Sequence, residues 1–254
     1  MTDSTPTSKP DKQGQRRALF ELAIGYVLIM VVIWTPRPWE RVLWLVAVAG
    51  IAAITCLSIK GSAGTGSAGS AREAFRAMGL RKENFLRSLW VVGVALALAA
   101  VALIAGVDKA TLEFPVSPTT HEGGLLVFFK TFWSYALWTF VQQFLLQGFF
   151  LLRLLRIIPS PRTAAFAAAG LFALAHLPNP VLAPLTLVWG FASCLVFLRY
   201  RNLYPLAIAH AIFGISIAIT VPGPVVRNMR VGLGYLRYHY PDRLLQPQGP
   251  DGVH

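Results

Sequence analysis

Acidic residues are scarce in this chain and cysteine is almost absent. Only 11 Asp and Glu stand against 23 Lys and Arg in 254 residues, and all charged residues together make up 13%. That is too little charge for the surface of a soluble domain of this length. The two cysteines, Cys56 and Cys194, both fall in apolar stretches. They offer no disulfide framework and no thiolate metal site, and read as small buried hydrophobes. Period-2 and period-3.6 alternation is missing too. Hydrophobic residues make up 55% of the chain, mean hydropathy is +0.57, and the apolar positions arrive in long blocks. Blocks of about 18 or more such residues read as bilayer spans.

Seven blocks are visible, over 19–34, 42–59, 85–107, 125–158, 163–176, 181–200 and 203–221. The expected fold is all-α, a polytopic helical membrane bundle of about seven to eight spans with one or two short interfacial helices. The first block ends in Thr35-Pro36-Arg37-Pro38 with no small-residue cleavage site, which favours a retained span over a signal peptide. The fourth block is longer than one perpendicular span needs. It is either one tilted helix or a span plus an interfacial turn. Residues 1–18, rich in Ser, Thr, Pro, Lys and Gln, are expected to be a disordered cytoplasmic tail. Residues 19–221 form the integral membrane domain, and 222–254 a basic C-terminal tail with Arg227, Arg230, Arg237 and Arg243.

The formal charge of +12 could suggest nucleic acid, but the positions of the cations argue for a membrane. Lys9, Lys12, Arg16 and Arg17 precede the first block, and Arg72, Arg76, Arg81, Lys82 and Arg87 lie between the second and third. Such flanking cations mark the cytoplasmic side and meet anionic headgroups. The expected setting is a bacterial-type inner (cytoplasmic) membrane with the N-terminus inside and no nucleic-acid partner. Seven spans would leave the basic C-terminal tail outside, against the positive-inside trend. Gly64, Gly66 and Gly69 spell G-x-G-x-x-G, but a membrane block precedes them rather than a strand, so 61–70 is read as a flexible linker. The stretch after it, 70–84, has the character of a short basic amphipathic helix on the cytoplasmic face. Between the third and fourth blocks, Asp108, Glu113, His121 and Glu122 mark a polar loop on the opposite side.

Polar side chains then occur where lipid should make them costly. Gln142, Gln143 and Gln147 stand among Phe and Leu in the fourth block. An amide in hydrocarbon needs hydrogen-bond partners and so faces the bundle interior. Gln143 and Gln147, four apart, can bond side chain to side chain, while Gln142 lies about 100° around the axis and faces another neighbour. Interhelical glue would explain the amides alone. His176 ends the fifth block, sharing a face with Phe172, and His210 lies deep in the last. Two imidazoles and three amides on three helices suggest one polar site, since a neutral imidazole serves as base, acid or ligand.

The pattern resembles the CPBP family, the CAAX protease and bacteriocin-processing intramembrane endopeptidases. Its members are all-helical and show E-E-x-x-x-R, F-x-x-x-H and H-x-x-x-N on successive core helices. Over 140–214 the order and spacing are kept. Phe172 and His176 match the second motif and His210 the histidine of the third. Gln142 and Gln143 stand in place of the two glutamates, Gln147 in place of the arginine and Gly214 in place of the asparagine. In the family the first glutamate is taken to activate water, with the histidines orienting it and holding the oxyanion. An amide is not basic near neutral pH, so Gln142 is left to position water or a carbonyl. Exchanging a Glu–Arg pair for Gln143 and Gln147 removes both charges together and leaves no unpaired ion.

The resemblance implies an endopeptidase acting on membrane-anchored proteins or peptides, with His176, His210, Gln142 and Gln143 as catalytic candidates. Gln147, Phe172, Asn179 and Gly214 are expected to support the site. The alternative is a catalytically silent membrane binding or sorting factor of the same fold. A transporter ranks lower, because no internal repeat and no mid-span charge relay is evident. Two histidines without a carboxylate or thiolate are a weak zinc set, so no obligatory metal and no cofactor is expected.

Overall fold

The computed structural model describes residues 12–36, 39–62, 68–107, 124–221 and 223–238. Among them every regular element is helical. Seven long helices correspond to the seven apolar blocks: α1 (Lys12–Ile33), α2 (Glu40–Ser62), α5 (Trp90–Val107), the run that begins with α6 (Gly124–Gln143), α8 (Pro161–Leu174), α9 (Leu182–Tyr200) and α10 (Tyr204–Thr220). Short helices α3 (Ala68–Ala77) and α4 (Phe85–Ser88) precede α5, and α11 (Gly223–Val226) and α12 (Gly232–Leu236) follow α10. Three stretches, Phe85–Ala105, Phe132–Ile157 and Leu182–Tyr200, are long and apolar enough to cross a bilayer, and Val42–Leu57, Pro161–Leu174 and Tyr204–Thr220 are shorter apolar helices. Large apolar side chains cover the outside, among them Trp44, Leu57, Trp90, Val101, Ile104, Phe166 and Val188. A surface so apolar is stable against lipid and not against water.

The fourth block is one continuous helical run rather than a span and a turn. After α6 the backbone widens into a π-helical segment, Phe144–Leu151, then tightens into α7 (Leu152–Ile157). The widened segment is the centre of the bundle, with Leu146, Phe149 and Leu151 fully buried. Close approach to α1 requires Gly25, where an added Cβ would lie 2.5 Å from Phe149 Cε1. The contact is locked by charge. Arg153 Nε donates to Glu21 Oε2 at 3.0 Å, both side chains being buried, and the guanidinium carbon stands 3.7 Å from the Phe149 ring centroid.

Helix α8 starts at the Ser160 cap, whose hydroxyl accepts from Thr163 N at 3.4 Å with Pro161 in the first turn. Its Ala164, Ala165, Ala168 and Ala169 are fully buried, and an added Cβ on Gly190 of α9 would lie 3.3 Å from the Ala169 backbone. Small residues on both helices allow this near-backbone packing, the usual device of membrane bundles. At the start of α10, Asn202 Nδ2 donates to Arg81 O at 2.8 Å and Glu83 O at 2.9 Å, while Leu203 N donates to Gly79 O at 3.1 Å. These bonds tie the last long helix to the α3–α4 connection and thereby fix the height of His210.

Parts of both terminal segments are helical. Helix α1 takes in residues 12–18, where Arg17 Nε donates to Glu21 Oε1 at 2.8 Å, an i, i+4 pair that extends the helix into the basic segment. Residues 223–236 of the basic tail are folded back on the bundle, with Gly232 N donating to Leu177 O at 2.8 Å. The tail over 1–11 expected to be disordered, the core of the expected Gly/Ser linker at 63–67, the expected polar loop over 108–123 and the last residues from 239 onward lie outside the described residues.

Candidate functional site

Helices α6, α8, α9 and α10 face a cavity of about 1710 Å³ that extends between α2 and α5. Its lining is mostly aliphatic and aromatic, with Gln142, His176 and His210 among the few polar side chains. Phe172 stands between the two imidazoles. Its ring centroid is 4.7 Å from that of His176 and 5.9 Å from that of His210, both edge-on. Trp189 of α9 adds a further wall, 6.1 Å from His210 and 4.9 Å from Phe213.

Local backbone explains how each histidine is held. Helix α8 stops at Leu174, and His176 sits in the turn that follows, its N donating to Ala173 O at 2.9 Å. Its ring folds back so that Nδ1 lies 2.7 Å from Phe172 O. A carbonyl oxygen only accepts, so this Nδ1 carries the proton, and neutral His176 keeps its lone pair on Nε2. His210, on α10, has Nδ1 3.0 Å from Gln143 Nε2. Gln143 is fully buried and its Oε1 meets no partner. Turning the amide over would orphan an N–H instead, and a buried orphan donor is the rarer state. The amide therefore donates, His210 Nδ1 accepts, and the proton of neutral His210 is on Nε2. The two imidazoles present opposite faces of the same chemistry, one a lone pair and one a donor.

The amides divide three ways. Gln142 is half-buried, lines the cavity and makes no side-chain hydrogen bond among the described residues. Gln143 stands behind His210. Gln147 does not bond Gln143, as its spacing would allow: its Nε2 donates to Ser193 Oγ of α9 at 3.0 Å. In an α-helix residue i+4 overshoots a full turn, whereas a backbone bonded i→i+5 leaves it short of one. The π-helical segment thus swings Gln147 to the other side of the row, toward α9. It acts as interhelical glue, fully buried and away from the cavity lining.

Asn179 is also fully buried, and all four of its hydrogen-bonding positions are used. Its Nδ2 donates to Val226 O at 2.9 Å and Arg230 O at 3.1 Å, and its Oδ1 accepts from Val181 N at 3.1 Å and Leu182 N at 3.0 Å. It starts α9 and clamps the C-terminal segment beside His176, with no capacity left for a ligand. Gly214 lines the cavity one turn beyond His210, against Tyr135 of α6. The buried Glu21–Arg153 pair and Tyr135 have no counterpart among the residues singled out by sequence. Glu21 carried a weak signal, a lone acid inside an apolar block. Among the described residues no group of three His, Cys, Asp or Glu could hold a metal.

Residues 124–216 match the family model described as Rce1-like, type II CAAX prenyl endopeptidase Rce1-like. Over these residues the match supports the resemblance to the CPBP family. No curated protein and no solved structure matches the chain significantly. The match begins with α6 and ends within α10, so the matched region holds both histidines, all three amides and Phe172. Helices α1, α2 and α5 precede it, and α2 and α5 supply the far wall of its cavity.

Proposed function

We propose that this protein is an intramembrane endopeptidase of the CPBP type in which a histidine takes the place of the carboxylate base. The complementary protonation of the two imidazoles on one cavity carries this reading. His176 Nε2 accepts a proton from water as the water oxygen bonds to the scissile carbonyl carbon. The carbonyl π-electrons move onto its oxygen, and that oxyanion receives a hydrogen bond from His210 Nε2–H. His176 then returns the proton to the leaving nitrogen as the C–N bond breaks, which gives a carboxylate and an amine. Gln142 orients the water or the carbonyl, and Gln143 is a positioning residue that holds the His210 tautomer. The substrate is a membrane-anchored protein or peptide, since the cavity walls are apolar and the site lies among membrane helices.

The test uses the full chain in proteoliposomes with two fluorogenic probes, a farnesylated peptide ending in a CAAX sequence and a single-span transmembrane peptide. Cleavage of either by the wild-type protein and its loss in both His176→Ala and His210→Ala is the expected result. Undiminished cleavage in both variants would overturn the mechanism. Tight binding of a probe without cleavage would favour a catalytically silent binding factor. That second reading is favoured by one observation, the absence of any Asp or Glu among the described residues lining the cavity.

A further inference from the structure

The third helix of the CPBP pattern departs from the family at Gly214, where the resemblance expects asparagine. An added Cβ there would overlap the Tyr135 hydroxyl and lie 2.5 Å from its Cζ and 2.7 Å from its Cε1. The space of a side chain at 214 is therefore filled from the opposite helix by a phenol. Gly214 is buried and one turn from His210, and Cβ atoms four apart on a helix lie about 5–6 Å apart. The Tyr135 hydroxyl thus stands about one helix turn from the base of the His210 side chain. On α6, Tyr135, Trp138 and Gln142 form one stripe along the cavity.

The hydroxyl takes part in no hydrogen bond among the described residues, although Tyr135 is half-buried. A phenol at bilayer depth without a protein partner is costly unless water or a ligand meets it. Elsewhere in the bundle interior hydroxyls are paired, as with Thr139, whose Oγ1 donates to Ala136 O at 2.8 Å, and Ser193, whose Oγ donates to Gly190 O at 3.1 Å. Tyr135 differs from them in facing the cavity.

We infer that Tyr135 is a catalytic residue, its hydroxyl donating a hydrogen bond to the same carbonyl oxygen that His210 Nε2–H meets. It supplies from α6 a second donor to that oxygen, in the space that a side chain at 214 would fill. The assignment rests on the hydrolytic reading given above. No proton is transferred in this role: the phenol keeps its hydrogen, and the bond strengthens as charge develops on the oxygen. Removal of one donor from an oxyanion site lowers kcat by roughly 10²–10³-fold.

The experiment compares kcat, KM and thermal unfolding of the reconstituted full chain on the fluorogenic probes. Tyr135→Phe should lower kcat about 100-fold or more, with KM and unfolding temperature little changed. Tyr135→Ala should be at least as slow, and the double variant Tyr135→Ala/Gly214→Asn should recover at least tenfold over it, because the amide then reaches the vacated space. Tyr135→Phe within threefold of wild type, while His176→Ala is inactive, would overturn this assignment alone. Equal cleavage by His176→Ala and wild type, or none by wild type, would overturn the hydrolytic reading and this inference with it.

Discussion

Replacing Gln143 by leucine separates a working site from interhelical glue. The substitution removes one buried hydrogen bond, from Gln143 Nε2 to His210 Nδ1 at 3.0 Å, with a net worth of about 1 kcal/mol. It also leaves the His210 Nδ1 lone pair without a donor. Against that, it removes the Gln143 Oε1 atom that is buried and unpartnered. An unsatisfied buried polar atom costs about 1–3 kcal/mol, so a loss and a gain of similar size oppose each other. The expected change in unfolding free energy is therefore within about 1 kcal/mol of zero. Catalysis has no such compensation. Without the amide, His210 is free to carry its proton on Nδ1, and the donor at Nε2 is lost. Removing the partner that fixes an imidazole tautomer costs about 10–100-fold or more in activity. Unfolding of the purified protein in detergent measures the first quantity and probe cleavage in proteoliposomes the second. If kcat stays within threefold of wild type, Gln143 does not orient His210 for chemistry and the tautomer argument fails. As a control, Gln147→Leu loses only the Ser193 bond, and should leave kcat unchanged while shifting unfolding by about 1 kcal/mol or less.

Other outcomes follow from the supporting structure. Asn179→Ala deletes four hydrogen bonds and should destabilise the protein by about 3 kcal/mol, with limited proteolysis opening first at 223–236. Glu21→Ala removes the carboxylate that faces the buried Arg153 guanidinium and should cost about 3–5 kcal/mol in detergent unfolding, whereas the double change Glu21→Leu/Arg153→Met should recover most of it. Failure of the double variant to recover would show that the pair does more than neutralise itself. Gly25→Ala drives a methyl group into the Phe149 ring and should lower the unfolding midpoint, and a relieving Phe149→Leu change should restore it.

Helix content and order were legible because a bilayer leaves a backbone few options, so long apolar blocks become helices almost regardless of propensity. The candidate residues drew notice for the same reason: Gln142, Gln143, His176 and His210 are polar groups that lipid does not tolerate alone, and Gln142, His176 and His210 line one cavity with Gln143 bonded behind His210. What stayed hidden depends on shape. No residue pattern announces the π-helical turn at Phe144–Leu151, and without it Gln147 is assigned to Gln143 instead of Ser193. Glu21 and Arg153 are 132 positions apart, and either alone reads as a charge near the end of a block. Asn179, beside Pro178 and Pro180, reads as part of a helix break, while its four bonds to two separate segments exist only in three dimensions. Tyr135 is an ordinary aromatic in an apolar stretch until the missing side chain at Gly214 shows why its hydroxyl is where it is.

Cleavage in water enriched in heavy oxygen, with the products weighed, reports where the new carboxyl oxygen comes from. A water deprotonated at His176 and added to the scissile carbonyl must leave one solvent oxygen in each new carboxyl terminus. Wild-type protein should yield that labelled terminus and His176→Ala should yield none. Labelled product from His176→Ala at the wild-type rate would show that His176 is not the base.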